Sequence, residues 1–267
     1  MDTQNPKSKI QNLLVIGGSG YVGNLVLPTL ANHFNLRIFD RNPPAWAETL
    51  NSQPSTLNYV PGDLTNGPAL LAAAQNMDLL LYMAMGRVGE RDIDNVTAAY
   101  DVNVKGVHLA LDAAVKAGIK RAVYTSSLSV YDGQLDIRSG ATDREDILPR
   151  SRKVYGFTKW LGEEVCAYFS RTHNLPIVAL RLFHPVPDSE KSPPNSDPSD
   201  QSDMSDRSDK QSPDGRTAAS DLARALTAAL LLEHEGFEPI HITGDTSGQA
   251  YKHEKAKRLL DWQPREI

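Results

Sequence analysis

The 267-residue chain predicts an α/β fold, a doubly wound parallel sheet with helices on both faces. Three observations carry that prediction. Short apolar runs alternate with segments of helical length and spacing, as strands joined by crossover helices do. The first run, Leu13 to Ile16, opens into the glycine-rich loop Gly17-Gly18-Ser19-Gly20-Tyr21-Val22-Gly23 and then a helical pattern. The second run ends on a carboxylate, Asp40, about twenty residues beyond the loop.

Strands are expected at Leu13 to Ile16, Leu36 to Phe39, Leu57 to Val60, Leu79 to Met83, Ala122 to Tyr124 and Ile177 to Leu182. Crossover helices are expected at Tyr21 to Asn32, Pro68 to Gln75, Ile93 to Ala117 and Val154 to Thr172. Parallel pairing then gives the strand order 3-2-1-4-5-6 of a Rossmann fold. The pattern breaks at Asp188 to Arg216, a stretch of Ser-Asp triplets almost devoid of apolar residues. Such a composition cannot bury enough surface to offset its chain entropy, so a disordered surface insertion is expected there. A helix from Thr217 to His234, a short strand from Ile240 to Thr243 and a helix from Lys252 to Leu260 follow. The expected organisation is a nucleotide-binding Rossmann domain with the catalytic residues over 10–187, the Ser/Asp-rich insertion over 188–216, and a small C-terminal substrate lobe over 217–267.

Composition narrows the function. A net charge of -5 gives no electrostatic case for nucleic acid. The polar stretch Met1 to Gln11 lacks the apolar core of a secretory signal. Even the Ala-rich stretch Thr217 to Leu232 carries Asp221 and Arg224, so no membrane span is expected, and a cytoplasmic protein follows. Cys166 is the single cysteine and falls in a helical pattern, which excludes an intrachain disulfide and points to a buried thiol. Seven scattered histidines show no ligand spacing, and no metal site is expected.

Glycines at 17, 20 and 23 let the backbone turn tightly and approach a pyrophosphate held at the next helix N-terminus. Asp40 is placed to accept hydrogen bonds from the adenosine ribose hydroxyls, which favours NAD over NADP. Arg41 opposes that preference, because a guanidinium there accommodates a 2'-phosphate. Far downstream, Tyr155 and Lys159 sit four residues apart in a helical pattern and so share one face. An ammonium roughly 4 Å from a phenol, at an effective dielectric near 20, favours the phenolate by about 4 kcal/mol, or about three pKa units. Desolvation opposes part of that. The expectation is a phenol lowered toward neutral pH, a general base for an alcohol about to give up hydride.

At these residues the chain resembles the extended short-chain dehydrogenases, the NAD-dependent epimerase/dehydratase family. Gly17 to Gly23, with Tyr21 and Val22, is similar to that family's GxxGxxG loop. Gly62-Asp63-Leu64 is similar to its third-strand motif, in which Asp63 meets the adenine. Tyr82-Met83-Ala84 resembles the segment beneath the nicotinamide ribose, and Asn103 the helix asparagine. Thr125 to Tyr131 resembles the catalytic serine segment with Ser127 as the active hydroxyl, and Arg181 the arginine after the sixth strand. Leu259-Leu260-Asp261-Trp262-Gln263-Pro264 resembles the C-terminal signature. The likeness implies that Ser127 binds the substrate hydroxyl, Tyr155 takes its proton, and Lys159 holds both the phenol and the nicotinamide ribose. For Asn103 it implies a part in the proton relay, beside a plain reading as a helix-face amide.

Departures from the family pattern narrow the reaction. Leu128 and Ser129 stand where sugar dehydratases carry Asp and Glu, and Arg181-Leu182-Phe183-His184-Pro185 replaces the Arg-x-x-Asn continuation of nucleotide-sugar enzymes. The small C-terminal lobe resembles in layout that of uronate dehydrogenases. Arg144, Arg150 and Arg152 are candidates for an anionic substrate group, or a solvated basic turn. The expected function is hydride transfer with NAD at a secondary alcohol of a sugar or sugar derivative, with Arg152 and Arg181 as candidate substrate contacts. Two alternatives stand beside it: a nucleotide-sugar epimerase that retains its NAD, and a non-catalytic NAD(P)-binding regulator. The expected partners are a small sugar-type substrate and a second copy of the chain packed through the helices at 93–117 and 154–172, with neither nucleic acid nor membrane.

Overall fold

The protein was analysed as a computed structural model that describes residues 10–46, 57–86, 95–132, 145–191 and 215–266. Seven parallel strands form the main sheet: β1 (Gln11–Ile16), β2 (Phe34–Asp40), β3 (Leu57–Pro61), β4 (Leu79–Tyr82), β5 (Arg121–Ser127), β6 (Ile177–Leu182) and β9 (Phe237–Ile242). Their order is β3-β2-β1-β4-β5-β6-β9. The predicted six-strand order is present, and β9 extends it as an edge strand beside β6, with Pro239 opposite Ala179. A proline cannot donate to a ladder, so an edge position is where it is tolerated.

The central strands are mostly apolar because both faces of the sheet are covered. Leu13 and Val15 of β1 join one core cluster, Leu14 and Ile16 the other. Helices α1 (Tyr21–Leu30) and α6 (Ala219–Leu231) pack together on the first face. Helices α2 (Gly67–Ala74), α4 (Val107–Ala117) and α5 (Val154–His173) pack on the second. The C-terminal lobe is therefore fused to the sheet: β9 lies in it, and Leu222, Leu226, Ile240 and Trp262 belong to the same cluster as β1.

Three expected elements differ in detail. The long helix foreseen from Ile93 starts at α3 (Val96–Tyr100), where the Asn95 side chain accepts the Ala98 N–H at 3.3 Å. It passes through a π-helical turn at Asp101–Gly106 before α4, and Ile93 lies outside the described residues. The helix foreseen from Thr217 gives its first two residues to β8 (Thr217–Ala218), which pairs with β7 (Pro185–Val186). The last helix, α7 (Glu254–Leu260), begins two residues late because His253 adopts a left-handed conformation at φ 55°.

Of the expected insertion, residues 192–214 lie outside the described residues. Its flanks are ordered, contrary to the expectation for 188–216. Asp188 Oδ1 accepts the Ser220 N–H at 2.9 Å, and Lys191 Nζ donates to the Arg216 and Gly244 carbonyls at 2.8 and 2.6 Å. These bonds clamp β7 to the start of α6. At the described ends of this stretch, polar residues are ordered because they find backbone partners.

Candidate active site

Beyond β1 the glycine loop is shaped by contacts that leave no room for side chains. Gly17 has φ 80°, and a Cβ there would lie 2.4 Å from Ala84 Cα, so the loop abuts the segment after β4 that carries Met83 and Ala84. A Cβ at Gly23 would lie 2.0 Å from the Gly18 carbonyl oxygen, which presses the first turn of α1 onto the loop. Gly20 is different: a Cβ there meets only Gly17 O at 3.5 Å. Gly20 is also the N-cap of α1 with no side-chain cap, and the first turn holds no acidic residue. The opening N–H groups of α1 are thus left to a ligand, with the positive end of the helix dipole behind them.

Side chains complete the cradle. Asp40 ends β2 and its carboxylate accepts the Ser19 N–H at 3.0 Å and the Asn42 N–H at 3.3 Å. Tyr21 is exposed, and Val22 packs against the core. Asp63 accepts the backbone and hydroxyl of Thr65 at 2.8 and 2.7 Å, bonds that hold its carboxyl below the ordinary range, with Arg41 contributing by its charge. Leu64 lies against Gly106. A tight glycine turn, an uncapped helix N-terminus and a carboxylate on the next strand fit a dinucleotide: pyrophosphate at α1, adenosine ribose at Asp40.

The second group of residues lies past β5. Ser127 is the last residue of that strand, and its Oγ accepts the Ser129 N–H at 3.1 Å and acts on the Tyr155 phenol, whose pKa it lowers. Tyr155 sits in the first turn of α5. That turn comes so near the strand end that a Cβ at Gly156 would lie 1.8 Å from Ser129 O. Lys159, one turn on, is 2% exposed and donates from Nζ to Thr125 O at 2.9 Å, with its ammonium 4.9 Å from the Tyr124 ring centre. Burial pushes its pKa down to about 8.

The phenol does not behave as the spacing predicts. The Tyr155 pKa is raised, first by burial and then by the Asp132 charge, and only the Ser127 hydrogen bond pulls it down. Helical spacing brings Lys159 to the correct face, but its ammonium is turned to the Thr125 carbonyl. Desolvation therefore wins over Coulomb attraction.

Asn103 is fully buried in the π-helical turn. Its Oδ1 accepts the Gly86 N–H and its Nδ2 donates to Thr158 Oγ1, both at 3.0 Å, and Thr158 Oγ1 donates to Tyr155 O at 3.0 Å. The amide thus braces the helix that carries Tyr155 against the loop after β4. π turns carry one extra residue per turn and recur at functional sites.

Arg181 is not free to meet substrate. It lies within β6, is 3% exposed, and donates to Glu163 from Nε at 2.9 Å and from Nη2 at 2.6 Å. Its Nη1 donates to the Tyr131 hydroxyl and to Glu145 O. Arg152 is exposed, and its backbone N–H bonds to Asp132 O at 3.0 Å; Arg144 lies outside the described residues. The residue that sequence reasoning missed is Glu163, which also accepts the Ser126 hydroxyl at 2.5 Å. Its four-residue spacing from Lys159 was the available signal.

Fold and cradle together define a dinucleotide-binding protein of the Rossmann class. The family described as NAD dependent epimerase/dehydratase matches residues 13–202, well over half of the chain, and the chain belongs to that family. It is 33% identical over 166 residues to a 3-beta-hydroxysteroid dehydrogenase of Mycolicibacterium neoaurum, covering 59% of this chain and 43% of that protein. It is 26% identical over 199 residues to the NAD-dependent glucose-6-phosphate dehydrogenase of Haloferax volcanii, covering 68% of this chain and 73% of that protein. The glucuronic acid dehydrogenase of Chromohalobacter salexigens superposes with a TM-score of 0.74 at 18% identity, over 96% of this chain and 85% of that one, which is a likeness of fold. The chain thus spans less than half the length of the steroid dehydrogenase. Among the described residues, no helix is long and apolar enough to cross a membrane.

Proposed function

We propose that the protein is an NAD-dependent oxidoreductase acting on a secondary alcohol of a sugar or sugar derivative. The observation that carries this reading is the packing of the first turn of α5, which holds Tyr155, against the Ser127–Ser129 segment at the carboxyl end of β5, one helical turn from the buried ammonium of Lys159. The two hydroxyls converge where a substrate hydroxyl is to be held, and Tyr155 accepts its proton. Lys159, whose charge is costly in this setting, stabilises the Tyr155 phenolate that takes this proton and becomes the neutral phenol, and it binds the nicotinamide ribose. When bound, NAD supplies the hydride acceptor, so the alcohol carbon becomes a carbonyl. Gly17, Gly20 and Gly23 bind the pyrophosphate, Asp40 and Asp63 the adenosine, and Asn103 keeps Tyr155 in place.

A sugar is favoured over a steroid by extent of match. The Haloferax enzyme is matched over 73% of its length and the steroid enzyme over 43%. The test is a panel of sugars, uronic acids and nucleotide sugars with NAD, following NADH and product. Net NADH marks a dehydrogenase; a changed sugar without NADH marks an epimerase that returns the hydride. Tyr155→Phe should keep NAD affinity and lose about 10² to 10⁴ in rate. Near-normal turnover by that variant would return Tyr155 to a packing role. The exposed Val96, Tyr100 and Tyr168 on α3 and α5 are the apolar surface we assign to a homodimer, which sedimentation would reveal.

A further inference from the structure

We propose that Glu163 is a positioning residue of this site: its buried carboxylate keeps Lys159 charged and anchors the strand end that presents Ser127. The inference rests on Lys159 holding the cofactor ribose, as proposed above.

The geometry is a chain of three buried charges. Arg181 on β6, Glu163 on α5 and Lys159 one turn earlier are each 3% exposed or less. Arg181 grips Glu163 through Nε and Nη2 in a two-pronged, buried ion pair. Glu163 in turn lies four residues from Lys159 on the same helix. Lys159 faces Tyr124 and the Thr125 carbonyl from β5, and Glu163 and Cys166 from α5, with Tyr82 of β4 behind Tyr124. Burial pushes up the phenols and the thiol, so they stay neutral around pH 7. The charge left to oppose the desolvation of the ammonium is Glu163. Its remaining neighbours are Ser126, whose hydroxyl it accepts, and Tyr131, which meets Arg181 from the turn after Ser127, with Glu145 and His241 beyond. One carboxylate therefore ties both ends of the Ser127 segment, Ser126 directly and Tyr131 through Arg181.

Calorimetric titration of the whole protein with NAD between pH 6 and pH 9.5 tests this without any substrate. A charged Lys159 binds the ribose better than a neutral one, so wild-type affinity should fall as pH rises past about 8. In Glu163→Gln the fall should begin about one pH unit lower. Glu163→Asp, which keeps the charge, should restore the wild-type midpoint. If Glu163→Gln does not fold, the doubly neutral Glu163→Gln/Arg181→Met removes both charges together and should show the same lowered midpoint. A midpoint unchanged in whichever of these folds overturns the proposal. Lys159→Met separates the two readings: if it abolishes the pH dependence while Glu163→Gln leaves the midpoint in place, only Glu163 is wrongly assigned. If Lys159→Met binds NAD as wild type does, the role of Lys159 falls and this inference with it.

Discussion

The cradle beyond β1 and β2 is made of backbone, with Gly17 at φ 80° and Gly23 packed against a carbonyl oxygen, and its one strand-end carboxylate, Asp40, is half-exposed. The cluster beyond β5 and β6 is made of buried charge, with Lys159, Glu163 and Arg181 at 2, 2 and 3% exposure. A backbone site is defeated by adding a methyl group and tolerates a change of charge. A charged interior responds the other way, because desolvated ions depend on one another.

The largest effect should come from removing a charge on the β6 side. Glu163→Ala leaves Arg181 buried and uncompensated, which should cost about 3 to 5 kcal/mol and lower Tm by about 10 °C. Asp40→Ala loses two backbone hydrogen bonds at a half-exposed position, about 1 kcal/mol. Chemical denaturation of the two variants side by side measures the contrast, and equal losses would erase it. Glu163→Ala/Arg181→Met should recover most of the first loss, since a neutral pair has nothing to desolvate.

This difference decides what could be read from the sequence. The glycine turn and the strand end at Asp40 were legible because their spacing follows from the strand–loop–helix–strand order, and six apolar runs marked six strands in their order. The edge strand β9 was not placed, because Pro239 interrupts its ladder pattern and its neighbour β6 lies some sixty residues earlier. Tyr155 and Lys159 were visible at helical spacing. The direction of Lys159 was not, because Thr125 O reaches it from another strand. The same holds for Glu163 and Arg181, whose pairing exists only once α5 lies on the sheet. The π turn at Asp101–Gly106 has no periodic signature, so the sequence offers Asn103 a place in the proton relay or on a helix face, but not the bridge its amide closes to Thr158.

Lys159→Met should reveal the cost of the interior charge. A pKa depressed from 10.5 to about 8 corresponds to about 3 kcal/mol against folding. The sign follows from proton counts: between pH 8 and 10.5 the unfolded chain holds the proton that the folded one has lost. The penalty is thus complete below about pH 8 and is relieved as pH rises. Wild-type stability relative to Lys159→Met should climb over that interval, and Lys159→Met should be the more stable protein at pH 7 while binding NAD less well. A difference that stays flat from pH 8 to 10.5 would show that the ammonium is not paying a burial penalty.

Glycine contacts offer a way to break the comparison, since one of them lies on the charged side. A Cβ at Gly23 meets Gly18 O at 2.0 Å and one at Gly156 meets Ser129 O at 1.8 Å. Backbone must shift in both cases, at about 1 to 3 kcal/mol. Gly23→Ala should weaken NAD binding, because it moves the turn that supports the pyrophosphate. Gly156→Ala should leave NAD affinity nearly intact and lower turnover, because it moves Tyr155 away from Ser127. Equal loss of NAD affinity in the two variants would mean that the halves are not separable.

The smallest expected effect concerns cofactor choice. The Asp40 carboxylate is held at the end of β2 by the Ser19 and Asn42 N–H groups, at the place proposed above for the ribose hydroxyls. A 2'-phosphate at that place would face the carboxylate, so NAD should bind more tightly than NADP by about tenfold, or about 1.4 kcal/mol. Arg41 follows directly, is exposed, and already acts on Asp63 by its charge. Its attraction for a phosphate is screened by solvent and limits the preference. Asp40→Ala removes the repulsion and leaves the guanidinium, so the ratio of affinities should move toward NADP while Tm changes by only a few degrees. Arg41→Ala should move it the other way. Calorimetry with both dinucleotides on the three proteins gives the ratio directly. Tighter NADP binding by the wild type would show that Arg41, and not the carboxylate beside it, governs this end of the backbone-built half.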